Sequence, residues 1–183
     1  GAESLSALES GEFYAALRQY DRALQEFQKL IADSSAPVRL PLDWERAVRY
    51  TLAIAVRVKK DPALSQSIVN QVLESKNSPY FLKQDALQWK ESILEWEKEG
   101  PRKAQTEEGY RAEALRLLAQ AHQMQKYPMD RSAEVAYLRA SSAVHEWMQF
   151  APQGKSLNEA FLFAGICYEV LRPINLGELH EMY

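Results

Sequence analysis

The residues best suited to acid–base or metal chemistry are three histidines and one cysteine, and their spacing argues against a shared site. His122, His145 and His180 fall in three different predicted helices, without the spacing that places two zinc ligands on one helical face. Cys167 is the single cysteine, which excludes an internal disulfide and a multi-cysteine metal site. Its apolar neighbours indicate a small buried hydrophobe in preference to a reactive thiol.

Other side chains that could form a site are an acidic row and two tryptophans on one predicted helix. Glu91, Glu95 and Glu99 recur every four residues and could hold a cation or a basic peptide, but lysines stand beside them, which favours a solvated helix face. Trp89 and Trp96 share the spacing of nearby apolar positions, which favours core packing. The sequence has no nucleophile elbow, phosphate-binding loop or dinucleotide fingerprint. We therefore predict no enzymatic activity, no cofactor and no metal site.

The densest basic feature of the chain begins with Arg46, Arg49 and Arg57 and ends with Lys59 and Lys60. The simplest interpretation is a solvated helix face whose terminal lysines interact favourably with the negative end of the helix dipole. The functional alternative is a contact for an acidic peptide. The residue types alone are compatible with both.

Composition limits the classes of function. The chain has 183 residues, 46% of them hydrophobic and 26% charged, which is the balance of a single globular domain with a substantial core. A formal net charge of −3 provides no basic face for nucleic acid. No apolar run reaches the roughly 18 residues that a transmembrane helix needs. We therefore expect neither nucleic-acid binding nor a transmembrane segment.

Both ends of the chain suggest a piece of a longer protein. Gly1 stands where an initiator methionine would, and the C-terminal LGELHEMY stops inside a helical pattern without a cap. The ordered start resembles a mature N-terminus left by a removed signal peptide. On this basis the expected source is a bacterium, with an exported, periplasmic location favoured over a cytoplasmic one.

Apolar residues recur at three- and four-residue spacings along almost the whole chain, and no segment alternates as a strand would. We predict an all-α protein of about nine helices. The longest irregular stretch is 34–41. The helices are expected at residues 5–20, 21–33, 43–60, 62–75, 80–99, 103–126, 131–150 and 156–171, with a ninth from Asn175.

Turn and cap signals mark several boundaries between these helices. Asp61 and Pro62 provide an N-cap and a proline at the first helical position, and Ser78 followed by proline repeats the pattern. Gly100–Pro101 is the strongest break and a candidate sub-boundary within one domain, 1–183. Residues 1–99 would then hold two helix pairs and a bridging helix, and residues after the break two further pairs.

Gly11 lies inside the first predicted helix, although glycine costs a helix interior about 1 kcal/mol relative to alanine. A physical reason is close packing, because two antiparallel helices nest only where one of them lacks side-chain bulk. Gly11 and Ala23 would provide that gap, while Tyr14 and Phe27 fill the space beside it. Together with Tyr20, these residues match the small and aromatic positions of a unit of about 34 residues, and the stretch resembles the tetratricopeptide repeat.

The same spacing recurs in two later units of the sequence. One unit comprises the predicted helices 103–126 and 131–150, and the other begins with the helix 156–171. The matching residues are Ala121, Ala133, Tyr137 and Ala140 in the first of these units and Phe161, Gly165 and Tyr168 in the second.

The resemblance implies an architecture and a mode of binding. Members of the family stack antiparallel helix pairs into an α-α superhelix, and the first helix of each pair lines a concave groove that receives a peptide or a partner helix. We therefore expect a non-enzymatic protein-interaction module that binds such a partner. The expected groove residues are Glu12, Ala15, Arg46, Arg49, His122 and Gln125.

Two alternative functions stay open. The helical array could self-associate through exposed apolar seams at its ends and serve as a homo-oligomeric scaffold. It could also be an all-α enzyme or small-molecule sensor with a pocket between the two halves, at Gly100. The last alternative requires convergent polar groups at that break, and no local sequence pattern reveals them.

Overall fold

All regular secondary structure in the described part of the chain is helical; the computed structural model describes residues 6–171 and Ile174. The prediction of an all-α fold with about nine helices is confirmed. The helix predicted from Asn175 lies outside the described residues. The α-helices within 6–171 are α1 (Ala7–Ala16), α2 (Tyr20–Ile31), α3 (Ala36–Arg39), α4 (Pro41–Ala53), α5 (Pro62–Glu74), α6 (Tyr80–Glu99), α7 (Glu107–Met124), α8 (Glu134–Phe150) and α9 (Leu157–Leu171).

A single helical turn, α3, occupies a stretch that the sequence pattern predicts to be irregular. The Asp33 carboxylate accepts hydrogen bonds from the Ser35 hydroxyl at 2.7 Å and from the Ser35 backbone N–H at 2.9 Å, and these bonds lower the pKa of Asp33. Pro37 then lies in the first turn, where its missing N–H leaves no helical bond unmade. Four residues are too few for a periodic apolar pattern, which explains why the turn is invisible in the sequence.

Helix α4 continues without a break into a π-helical segment, Ile54–Val58. The wider spacing of its hydrogen bonds is evident where the Lys59 N–H donates to the Ile54 carbonyl, five residues back, at 2.8 Å. Arg57 in this segment is only 2% exposed, and its Nε donates to Ser141 Oγ on α8 at 3.1 Å. The solvated-face interpretation is therefore wrong for Arg57, because its side chain crosses the interior.

One of the two predicted N-caps is present. Asp61 caps α5, since its side chain accepts a hydrogen bond from the Leu64 N–H at 3.0 Å, and Pro62 opens the helix. Ser78 instead donates its hydroxyl to the Val72 carbonyl of α5 at 2.8 Å, and α6 begins without a side-chain cap. The capping role predicted for Ser78 is therefore wrong, because its hydroxyl satisfies the C-terminal turn of the preceding helix.

The close packing predicted at Gly11 is confirmed. A Cβ atom at this position would lie 2.3 Å from Cε1 of Phe27, which is fully buried. The Phe27 ring in turn stacks on Tyr50 of α4 with the ring centroids 5.3 Å apart. Ala23 is fully buried on the same helix as Phe27, and Tyr14 is half-buried. The absent side chain at position 11 thus lets an aromatic ring of α2 rest on the backbone of α1.

Most consecutive helices pack on one another, and α8 is the most deeply buried of those described. The closest packed pairs are α1 with α2, α5 with α6, α7 with α8 and α8 with α9, and α2 also packs on α4. In α8, 12 of the 17 residues are buried, because this helix also contacts α4, the π-helical segment and α6. Helix α6, predicted to be the bridging helix of residues 1–99, packs mainly on α5 and also contacts α8. Buried residues before and after Gly100 belong to one hydrophobic cluster.

The residues assigned to the two later repeat units have different environments. Ala121, Ala133, Tyr137 and Ala140 are all buried between α7 and α8. In α9 the buried face is instead formed by Ala160, Ala164, Cys167 and Leu171. Phe161 is 41% exposed, and Gly165 and Tyr168 are partly exposed. The packing predicted from Phe161 is therefore wrong within the described residues, because α9 meets α8 through a neighbouring face.

Candidate functional site

A cleft of about 570 Å³ opens at the Gly100 break, between the C-terminal end of α6, the linker to α7, and helices α7 and α8. Gly100 ends α6 with φ at 71°, a left-handed conformation that glycine adopts without steric cost. Its N–H still donates to the Trp96 carbonyl at 3.2 Å. The chain then runs through Pro101 and along the cleft until the Thr106 side chain caps α7.

The cleft carries more positive than negative charge. Five cationic side chains and three carboxylates line it, an excess of two positive charges in a chain whose formal net charge is −3. The electrostatic potential at a protein surface depends mainly on the charges nearby, and a concave surface strengthens it. The cations are Lys60, Arg102, Lys103, Arg116 and Arg139, and the carboxylates are those of Glu99, Glu113 and Glu146.

Glu99 at the end of α6 holds two of the arginines. Arg139 Nη2 donates to Glu99 Oε2 at 2.6 Å, and Arg116 donates through both Nη atoms at 3.1 and 3.2 Å. Burial alone would raise the pKa of Glu99, but the hydrogen bonds from these arginines outweigh it and lower the pKa. Arg116 also bonds Glu113 at 2.7 Å, and the Arg139 guanidinium lies 5.6 Å from the ring centroid of Trp96. These hydrogen bonds orient both guanidinium groups toward Glu99.

Glu146 on α8 pairs with two further cations, and some N–H donors in this part of the cleft have no partner among the described residues. Its carboxylate pairs with Lys60 Nζ at 2.7 Å and with Arg102 Nε at 3.2 Å. Arg102 Nη1 is buried and has no hydrogen-bond partner. Lys103 is exposed and forms no ion pair with a described residue. The unused donors and the surplus charge therefore lie in the linker, next to each other in the chain.

The groove residues expected on α1 and α4 are largely occupied by other contacts. Arg46 donates to the Glu12 carboxylate and so joins α4 to α1. Ala15 is fully buried, and Arg49 is 8% exposed and bonded to Glu134 of α8. The prediction that Ala15 and Arg49 face a partner is therefore wrong, because both lie inside the packed helices.

The two groove residues expected on α7 lie elsewhere. His122 is exposed, and Gln125 is partly buried and accepts a hydrogen bond from the Tyr137 hydroxyl at 2.7 Å. None of the six expected groove residues lines the cleft. The cleft residues that were missed come from four separate stretches of the chain, so their convergence leaves no local signal. Of the cleft residues, the sequence patterns single out the Gly100–Pro101 break, Lys60, Trp96 and Glu99, but none of these patterns indicates that they share one site.

A second charged cluster joins α4, α6 and α8 away from the cleft. Arg49 donates to both oxygens of Glu134, at 2.7 to 3.1 Å. Asp85 of α6 is half-buried near the carboxylates of Asp130 and Glu134. Its burial and these neighbouring negative charges raise the pKa of Asp85 from its ordinary 3.8 to about 6.

This raised pKa predicts a pH-dependent stability. The folded protein retains a proton on Asp85 that the unfolded chain loses at lower pH, so the stabilisation from this group is complete below pH 3.8 and is lost as the pH rises through about 6. We expect Asp85→Asn to flatten the pH dependence of the free energy of unfolding between pH 4 and 7, and to make the protein more stable than wild type at pH 8. Urea unfolding at several pH values measures both effects, and parallel pH profiles for the two proteins would contradict this origin.

The other residues considered for chemistry have different surroundings. Cys167 is fully buried, and burial raises the pKa of its thiol to about 12, so the group stays protonated at neutral pH. His145 is partly buried on α8, and His180 lies outside the described residues.

Among the residues that the structure describes, no group of three or more histidines, cysteines and acidic residues could hold a metal ion. No helix of that same part is long and apolar enough to cross a membrane.

Fold and site together define an all-α protein with an open, positively charged cleft between successive helices. No family model matches the chain, and no curated protein or solved structure matches it either. The resemblance to the tetratricopeptide repeat therefore stays a prediction from residue spacing.

Proposed function

We propose that the protein is a non-enzymatic protein-binding module and that the Gly100 cleft receives an acidic segment of its partner. The observation that carries the proposal is the excess of two positive charges in the cleft. A carboxylate-rich segment complements this charge, whereas a basic segment is repelled by it.

The geometry of the cleft suits carboxylates. Arg116 and Arg139 are oriented by Glu99 before any partner arrives, so little side-chain entropy is lost on binding. Lys103 provides an exposed donor that no described side chain occupies.

The size of the cleft fits a short segment of chain. Its volume of about 570 Å³ is within the range of roughly 300–1,000 Å³ typical of ligand sites. The cleft is open to solvent on one side, so the partner's chain can extend beyond it. The proposed site thus differs from the groove expected from the repeat resemblance, which would run along α1, α4 and α7.

The proposal predicts that Lys103→Glu weakens binding of an acidic probe about tenfold, because an attractive charge at the cleft becomes a repulsive one. A fluorescein-labelled hexaglutamate peptide, titrated at low salt and followed by anisotropy, measures the dissociation constant. Lys103 is exposed, so the substitution removes no core contact.

Lys76→Glu is the matched control. Lys76 is also exposed and gives the same change in net charge, but it precedes α6, which is about 30 Å long, at the end opposite the cleft. We expect the affinity of Lys76→Glu to stay within about twofold of wild type, which is about 0.4 kcal/mol. Equal losses in both variants would mean that only net charge matters, and no loss in Lys103→Glu would place the peptide elsewhere.

A further inference from the structure

A second concave site lies at the turn between α1 and α2, next to the end of the π-helical segment. It is lined by residues 18–22 and Lys59 and has a volume of about 490 Å³. Its lining contains three cations, Arg18, Arg22 and Lys59, and one carboxylate, that of Asp21. These three cations form the turn site, which therefore has an excess of two positive charges, the same excess as the cleft.

Two consecutive lysines connect the turn site to the Gly100 cleft. Lys59 lines the turn site, and its Nζ pairs with Asp21 of α2 at 2.5 Å. Lys60 lines the cleft, and its Nζ pairs with Glu146 of α8 at 2.7 Å. Because consecutive Cα atoms are about 3.8 Å apart, the two sites meet at these residues. An extended chain that leaves one site over Lys60 therefore reaches the other at Lys59.

Both sites contain a cation in a backbone conformation that favours glycine. Arg18 (φ 60°) and Lys60 (φ 53°) are two of the three non-glycine residues with positive φ in the described part of the chain. Arg18 follows α1, and its N–H donates to the Ala15 carbonyl at 3.0 Å. The Gln19 N–H donates to the Tyr14 carbonyl at 2.8 Å, which completes a type of helix end where glycine is usual. Since a Cβ atom raises the energy of this conformation, residues other than glycine that adopt it cluster at functional sites.

We propose that the turn site binds a second stretch of the acidic segment that occupies the Gly100 cleft, and that the segment crosses Lys60 and Lys59 between the two sites. The inference rests on the function proposed for the cleft and extends it to a longer ligand. Together the two sites are lined by eight cations and four carboxylates, so a carboxylate-rich chain complements both.

Arg22 is the cation of the turn site whose charge is best suited to reversal. It is exposed and forms no ion pair with a described residue. Its Nη1 donates to the Gln19 side chain at 3.1 Å, and its guanidinium lies 5.7 Å from the ring centroid of Tyr14. A glutamate at this position, in the first turn of α2, would interact favourably with the helix dipole. Arg22→Glu therefore changes the charge of the site and leaves the helix intact.

Fluorescein-labelled hexaglutamate and dodecaglutamate, titrated at low salt and followed by anisotropy, test the proposal. Dodecaglutamate carries a second set of carboxylates for the turn site, so we expect the wild-type protein to bind it about tenfold more tightly than hexaglutamate. In Arg22→Glu we expect this ratio of dissociation constants to fall to about twofold, because only the additional registers of the longer peptide still favour it. Lys103→Glu should weaken the binding of both peptides, since both occupy the cleft.

Lys76→Glu is the matched control, with the same change in net charge. Lys76 is exposed and precedes Asn77, whose side chain donates to the Ser34 carbonyl beyond the C-terminal end of α2, whereas the turn site is at the N-terminal end of that helix. We expect Lys76→Glu to keep the wild-type ratio, and circular dichroism checks that each variant is folded.

The outcomes separate this inference from the function proposed for the cleft. A wild-type ratio of about twofold, an unchanged ratio in Arg22→Glu, or an equal fall in Lys76→Glu would overturn the second site and leave the cleft in place. Equal binding of hexaglutamate by the wild-type protein and Lys103→Glu would instead overturn the function proposed for the cleft, and the second stretch with it.

Discussion

Replacing Arg49 with methionine is expected to lower the free energy of unfolding by about 3–5 kcal/mol, because it leaves the Glu134 carboxylate buried without its counter-charge. The side chains of Arg49 and Glu134 are only 9% and 4% exposed, and Arg49 bonds both carboxylate oxygens. The pair joins α4 to α8, the most buried of the described helices. Urea unfolding followed by circular dichroism measures the loss.

The double variant Arg49→Met/Glu134→Met separates the buried charge from the lost packing. Removing both charged groups also removes the desolvation penalty, so most of the stability should return. A double variant no more stable than Arg49→Met would show that the pair stabilises the fold by some means other than charge compensation.

Gly11→Ala is expected to destabilise the protein by about 1–3 kcal/mol, even though alanine is the better helix former. The added Cβ would lie 2.3 Å from Cε1 of Phe27, well inside van der Waals contact. The ring cannot move aside easily, because it is fully buried and stacked on Tyr50. Thermal and urea unfolding of the variant measure the cost.

The Phe27→Leu background provides the matched control for Gly11→Ala. Leucine lacks the ring atoms that meet the new Cβ, so the penalty of Gly11→Ala should shrink or change sign in that background. An unchanged penalty would mean that the glycine is needed for a reason other than the approach of Phe27.

The helices and the glycine contact could be predicted because their signals are local. The apolar spacing reports which face of a helix is buried, and Gly11 stands out against the helix propensity of its neighbours. Two of the wrong predictions also have local causes. The Ser78 hydroxyl donates to a carbonyl of the preceding helix, α5, and α3 is only a single turn. These choices depend on hydrogen bonds that no periodic pattern encodes.

One alternative placed a pocket at Gly100, where the cleft lies, but the charged lining of the cleft could not be predicted because its contacts join distant parts of the chain. Lys60 and Glu146, and Glu99 and Arg139, become partners only after α6, α7 and α8 have packed. The sequence likewise gives Arg49 the appearance of a surface cation, although its partner Glu134 lies 85 residues away. A charged residue inside the fold is recognised only when its partner is known.

Trp96 lines the cleft, so its fluorescence provides the most direct measurement of the central claim, that an acidic segment binds there. The other three tryptophans, Trp44, Trp89 and Trp147, are at most 1% exposed, so collisional quenching by acrylamide reports mainly on Trp96. We expect saturating hexaglutamate to lower the quenching of wild-type fluorescence. Neither hexalysine with the wild-type protein nor hexaglutamate with the Trp96→Phe variant should give such protection. Unchanged quenching with hexaglutamate, or equal protection in Trp96→Phe, would contradict the claim.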